Sequence, residues 1–147
     1  MMTGEPLTIL LVEDNPDHAE LVMRNMEDFK VANRIVHVED GEAALDYLHG
    51  NGAYADRKLF PMPHLMLLDL RLPKVDGLQV LKEVKSSETL RALPVVVLTT
   101  SDAERDLAMA YEYHANSYLT KPVDFNDFST LLGDLGFYWL VWNKRPW

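Results

Sequence analysis

Three apolar runs, Thr8–Val12, Leu65–Leu68 and Val95–Thr99, are almost unbroken Leu, Ile, Val and Met. A strand with one wet face alternates apolar and polar residues, so runs without alternation predict strands buried on both faces. Two more runs, Arg34–Val38 and Ser117–Thr120, complete a set of five. The segments between them carry a helical period. Ala19, Val22, Met23 and Met26 recur at i, i+3, i+4, i+7 behind Asn15-Pro16, a start signal with proline in the first turn. Ala44, Leu45 and Leu48 form a second stripe, and Gly77, Val80, Leu81 and Val84 a third. Ser101-Asp102-Ala103-Glu104 has capping-box spacing ahead of Leu107, Ala110 and Tyr111, and Asp124 can cap a fifth helix carrying Phe128, Leu132 and Leu135. Strict βα alternation predicts an α/β domain in which right-handed crossovers join parallel strands and helices cover both sheet faces.

Composition narrows the function classes. At 147 residues, 48% apolar and 25% charged, the chain suits one domain with a real core. No apolar run reaches the roughly 18 residues of a membrane span, and Met1–Thr8 lacks the pattern of a secretory signal, so a cytoplasmic protein without membrane insertion is expected. The absence of cysteine removes disulfides, thiolate metal sites and Cys nucleophiles. A net charge of −9 without a basic cluster argues against direct nucleic-acid binding. Two segments are surplus to the βα pattern. Gly50–Pro63 is a long connection whose Gly and Pro argue against a hidden element. The tail 136–147 holds all three tryptophans and continues an apolar seam through Phe128, Leu132, Leu135, Trp139 and Trp142. Its aromatic side chains Phe137, Tyr138, Trp139, Trp142 and Trp147 are candidates for a self-association surface, and hence a homodimer.

Ligands of an open parallel sheet bind at the carboxyl ends of its strands. Here those ends are Glu13-Asp14, Asp69, Thr99-Thr100-Ser101 and Lys121-Pro122. Three carboxylates brought together repel by about 4 kcal/mol per pair at about 4 Å and an effective dielectric of about 20. Lys121 offsets one charge, and hard oxygen donors without cysteine or spaced histidine suit Mg²⁺ or Mn²⁺. A divalent cation, a lysine and hydroxyls around a spare carboxylate match phosphoryl transfer with Asp69 as nucleophile. The histidines, His18, His37, His49, His64 and His114, show no ligand spacing and are expected in surface or loop roles. His18, nearest the acids, reads as a stray first-turn residue.

Glu13-Asp14-Asn15, Leu67-Leu68-Asp69 with Leu72-Pro73 and Asp76-Gly77, Val97-Leu98-Thr99, and Tyr118-Leu119-Thr120-Lys121-Pro122 resemble the receiver domain of two-component response regulators. The resemblance covers about residues 7–135, with 1–135 as the receiver and 136–147 as an aromatic extension without a domain of its own. It implies a flavodoxin-like (βα)5 doubly wound fold with strand order 2-1-3-4-5, and a phosphoryl group accepted on Asp69 from a histidine kinase. It further implies Mg²⁺ or Mn²⁺ on Glu13, Asp14, Asp69 and the Arg71 backbone carbonyl. Lys121, Thr99 and Thr100 would stabilise the phosphoryl group, Thr99 and Tyr118 would form the switch, and Pro122 would follow a cis bond. Glu13-Asp14-Asn15-Pro16, Gly52-Ala53-Tyr54 and Phe137-Tyr138-Trp139-Leu140 resemble the stand-alone receivers partnered with bacterial and cyanobacterial phytochrome kinases.

The expected function is a single-domain switch or phosphorelay intermediate that assists its own phosphorylation and dephosphorylation and is no enzyme toward an external substrate. The alternative is a constitutive dimeric scaffold with a vestigial phosphorylation site. A flavin carrier would need a hydroxyl-rich loop after the first strand, where this chain has acids. A phosphohydrolase of similar topology would need Asp-x-Asp, where this chain has Asp69-Leu70-Arg71.

Overall fold

The computed structural model describes residues 7–27, 33–100, 115, 117–121, 126, 127 and 130. Within them five parallel strands, β1 (Leu7–Val12), β2 (Asn33–Val38), β3 (Leu65–Asp69), β4 (Val95–Thr99) and β5 (Ser117–Thr120), form a sheet in the order β2-β1-β3-β4-β5. The expected flavodoxin-like order is therefore observed. The crevice where the strand order reverses lies between β1 and β3, the usual ligand position in such sheets.

Successive strand residues point to opposite faces, which splits the core in two. Leu10, Val12, Met66, Leu68, Val95 and Val97 pack with Ala44, Leu48, Val80, Leu81 and Val84, from α2 (Gly41–His49) and α3 (Gly77–Ser86). Ile9, Leu11, Leu65, Leu67, Val96 and Leu98 pack with Ala19 and Val22 of α1 (Pro16–Glu27). All of these strand residues are 0% exposed, which is why their sequence shows no alternation. Each contributes roughly 1.5–3 kcal/mol by burial.

The helices begin where the sequence supplies a side-chain acceptor. Asn15 Oδ1 accepts from the backbone N–H of Asp17 at 2.8 Å and of His18 at 3.2 Å, capping α1, while Pro16 sits where no donor is needed. Asp40 accepts from Ala43 N–H at 2.7 Å and Asp76 from Gln79 N–H at 3.0 Å, capping α2 and α3. Helix α2 stops at Gly50, left-handed at φ 68°, whose N–H returns to the carbonyls of Asp46 and Tyr47.

The connection that follows differs from the sequence expectation. Gly52–Tyr54 forms a 3-10 turn, although the Gly and Pro of the segment argued against any element. Side chains from outside the turn order it. The Arg57 guanidinium donates to the carbonyls of Tyr47 and Leu48, both at 2.8 Å, and of Phe60 at 3.1 Å. It thereby satisfies carbonyls left over at the end of α2. The rings of Tyr47, Tyr54 and Phe60 meet at centroid distances of 5.1, 5.2 and 6.0 Å. The capping box at 101–104, Asp124, Pro122 and the tail 136–147 lie outside the described residues. Among the described residues no helix is long and apolar enough to cross a membrane.

Candidate functional site

Carried one or two residues past the core, the same alternation sorts the polar side chains of the rim. Glu13 follows Leu11, Asp69 follows Leu67 and Lys121 follows Leu119, placing all three toward the α1 face. Thr99 follows Val97 toward the other face, where Tyr118 is half-buried against the core. The expected convergence is therefore present. Lys121 Nζ lies 3.0 Å from Asp69 Oδ2, to which it donates, and 2.7 Å from Glu13 Oε1. The latter contact is close but poorly directed, leaving Glu13 Oε1 buried without an aligned hydrogen bond. Asp69 is 4% exposed and Glu13 0%. Asp14 is exposed at the mouth.

The loop after β3 is built around Asp69. The Arg71 backbone N–H donates to Asp69 Oδ1 at 3.2 Å, and the Gly77 N–H to the Leu70 carbonyl at 3.0 Å. A Cβ on Gly77 would stand 2.2 Å from the Asp69 carbonyl oxygen and 2.6 Å from Leu70 Cα, so the start of α3 presses directly on this backbone. Only glycine permits that approach. The Lys121 N–H donates to the Thr99 carbonyl at 2.7 Å and ties the ends of β4 and β5 together.

Charge is not balanced in this pocket. Burial raises the Glu13 pKa most, the adjacent Asp69 carboxylate adds to it, and Lys121 offsets only part, so the group moves from 4.5 up to about 7. For Lys121, burial works against the ammonium, yet hydrogen bonds and attraction from Glu13 and Asp69 outweigh it and its pKa is raised. Glu13, Asp14 and Asp69 can each bring an oxygen within 4.8 Å of the others. Three hard oxygen donors, one of them buried and lacking an aligned hydrogen bond, fit a divalent cation such as Mg²⁺. Thr99 adds a second unsatisfied group: its Oγ1 is buried without a hydrogen-bond partner among the described residues. Thr100 is exposed and lines a cavity of about 340 Å³ with Glu13, His18, Leu21, Val22, Leu98 and Lys121.

The histidine expectation holds for His64, exposed on the bend before β3, and fails for His18 and His37. His18 Nδ1 is 3.3 Å from Lys121 Nζ and 3.9 Å from Glu13 Oε2, so it joins the site. The available signal was Asn15, whose cap fixes the first turn of α1 over the acid pair. His37 Nε2 donates to the Glu13 carbonyl at 2.7 Å, and His64 Nδ1 accepts from the Thr8 N–H at 3.0 Å. Both are structural side chains fastening β1.

A description of the response regulator receiver domain matches residues 9–132. The chain belongs to that family. This receiver is 51% identical over 144 residues to the probable methanogenesis regulatory protein FilR2 of Methanothrix harundinacea, across 97% of this chain and 89% of that one. Among solved structures it resembles the bacteriophytochrome response regulator AtBRR, with 48% identity, a TM-score of 0.84, and coverage of 92% and 96% of the two chains. The Mn²⁺-bound form of response regulator Rcp1 matches at 40% identity and a TM-score of 0.73, over 92% and 95% of the chains; Rcp1 is a protein of Synechocystis sp.. Function as a response regulator, phosphorylated on aspartate, follows from this membership and is favoured over the constitutive scaffold.

Proposed function

We propose that Asp69 is the aspartate that accepts the phosphoryl group. One observation carries the assignment: a buried carboxylate at a strand end, held by a partly buried lysine beside a second acid. The donor is the phosphohistidine of a sensor histidine kinase. A carboxylate oxygen of Asp69 forms the new P–O bond as the donor's P–N bond breaks, and the departing imidazole keeps the nitrogen electron pair. Mg²⁺ or Mn²⁺ held by Glu13, Asp14, Asp69 and the Arg71 carbonyl would offset charge on the phosphoryl oxygens. Lys121 supplies a fixed positive charge, and the unsatisfied Thr99 hydroxyl a donor for a phosphoryl oxygen, with Thr100 beside it at the cavity wall. When Thr99 turns toward that oxygen it vacates space beside Tyr118, and the pair acts as the switch.

The protein assists its own phosphorylation and dephosphorylation and turns over no separate substrate. We place it in the cytoplasm, away from nucleic acid, opposite a kinase of the bacteriophytochrome class, which the likeness to AtBRR supports. The receiver reading covers 1–135, and the aromatic extension 136–147 beyond the matched residues is assigned to self-association.

Incubating the full chain with Mg²⁺ and a small phosphodonor tests the assignment. Wild type is expected to gain one acid-stable, base-labile phosphoryl group that Asp69→Asn abolishes. Label surviving that substitution, or none on wild type, refutes it. Sizing the product beside a chain lacking 136–147 shows whether the extension carries the dimer.

A further inference from the structure

His18 lies outside the set of side chains to which the resemblance assigns a role, yet it adds to the surroundings of the Lys121 ammonium. An ammonium has three N–H donors and no acceptor. Around Lys121 Nζ stand three acceptors: Glu13 Oε1 at 2.7 Å, Asp69 Oδ2 at 3.0 Å and His18 Nδ1 at 3.3 Å. Since lysine only donates, Nδ1 is the bare nitrogen of the ring. The competing arrangement, an N–H on Nδ1 aimed at Glu13 Oε2, spans 3.9 Å, beyond hydrogen-bond reach, and would turn that proton against the ammonium.

The three acceptors differ in kind. Glu13 and Asp69 are the two groups that a divalent cation and a phosphoryl group would claim. His18 offers a ring nitrogen, outside that set, so it is the acceptor that stays with Lys121 when the others are taken. Its backbone is fixed at the helix start, because the Asn15 cap accepts the His18 backbone N–H at 3.2 Å. The lysine, by contrast, reaches the site on a flexible four-carbon stem.

We propose that His18 is a positioning residue for phosphorylation, holding the Lys121 ammonium within reach of the phosphoryl oxygens through its Nδ1 acceptor. The inference rests on the assignment of Asp69 and adds a residue to it. Replacing His18 with leucine keeps apolar bulk but removes the acceptor, whereas glutamine restores an acceptor oxygen. His18 is 41% exposed, so neither change empties the core.

The experiment follows the rate at which the full chain gains phosphate from a small phosphodonor at saturating Mg²⁺, with Mg²⁺ affinity measured separately. His18→Leu is expected to slow the reaction about fivefold to tenfold, the size of an ordinary net hydrogen bond, while His18→Gln stays within about twofold of wild type. Mg²⁺ affinity should change less than the rate in both. A leucine variant as fast as wild type overturns the inference, as does a glutamine variant as slow as leucine. Either result leaves Asp69 in place, whereas a wild type that takes up no phosphate brings down both.

Discussion

The rim at the carboxyl end of the sheet has two sides that handle buried polarity in opposite ways. Toward α1, Glu13, Asp69, Lys121 and His18 form a cluster in which one ammonium is shared by two carboxylates and a ring nitrogen. Toward α2 and α3, the Thr99 hydroxyl is buried without a partner among the described residues, near a half-buried Tyr118. An unsatisfied buried hydroxyl costs about 1–3 kcal/mol. The contrast teaches that one side offsets part of its buried charge before any ligand arrives, while the other retains a group whose hydrogen bond can form only after one does.

Removing the Lys121 cation from the α1 side should have the largest effect. Lys121→Met leaves two buried carboxylates facing each other, and a chelator-treated sample is expected to lose about 3 kcal/mol of stability in urea denaturation. Mg²⁺ should return part of that loss. An unchanged urea midpoint would show that the lysine does not hold the pair.

The second effect is a pH dependence with a definite sign. Glu13 titrates at about 7 when folded against 4.5 ordinarily, so between these values the folded state binds the proton more tightly than the unfolded chain. Its contribution is therefore fully present below about pH 4.5 and is lost as pH rises through about 7, by on the order of 2 kcal/mol. Melting temperatures across this range in chelator should show the decline, and saturating Mg²⁺, which needs Glu13 charged, should flatten it. Equal slopes in both buffers would break the link between the raised pKa and an empty metal position.

The smallest effect belongs to the side facing α2 and α3. Thr99→Val removes the hydroxyl at nearly constant shape, and stability should hold or rise by about 1 kcal/mol, because no hydrogen bond is lost. The response of β5 amide resonances to the phosphoryl mimic beryllofluoride should shrink in the same variant. A clear loss of stability would mean that the hydroxyl has a partner in the resting protein.

Much of this could be read from residues alone. Unalternating runs such as Leu65–Leu68 announced a doubly covered parallel sheet, and such a sheet gathers strand ends on one rim, so Glu13, Asp69 and Lys121 were visible as a group before any distance was known. What escaped depends on contacts without periodicity. His18 enters the site because a cap sets where one helical turn begins. The clearance at Gly77 arises from the approach of two backbones, of which the sequence shows only a glycine. The turn Gly52–Tyr54 is ordered by Arg57 and by rings brought from α2 and Phe60, while its own composition says loop.

That ordered connection also has a consequence for traffic around the molecule. It lies at the amino end of the sheet, where Arg34 of β2 donates to the Leu59 carbonyl and the His64 N–H to Thr8 of β1. Leu59 and Met62 stand 59% and 41% exposed there. Asp69 closes the opposite end of a five-residue strand, about 13 Å from its first residue at the parallel rise. A molecule seated over Leu59 and Met62 would leave the carboxylate reachable, so occupancy of one end and chemistry at the other need not exclude each other.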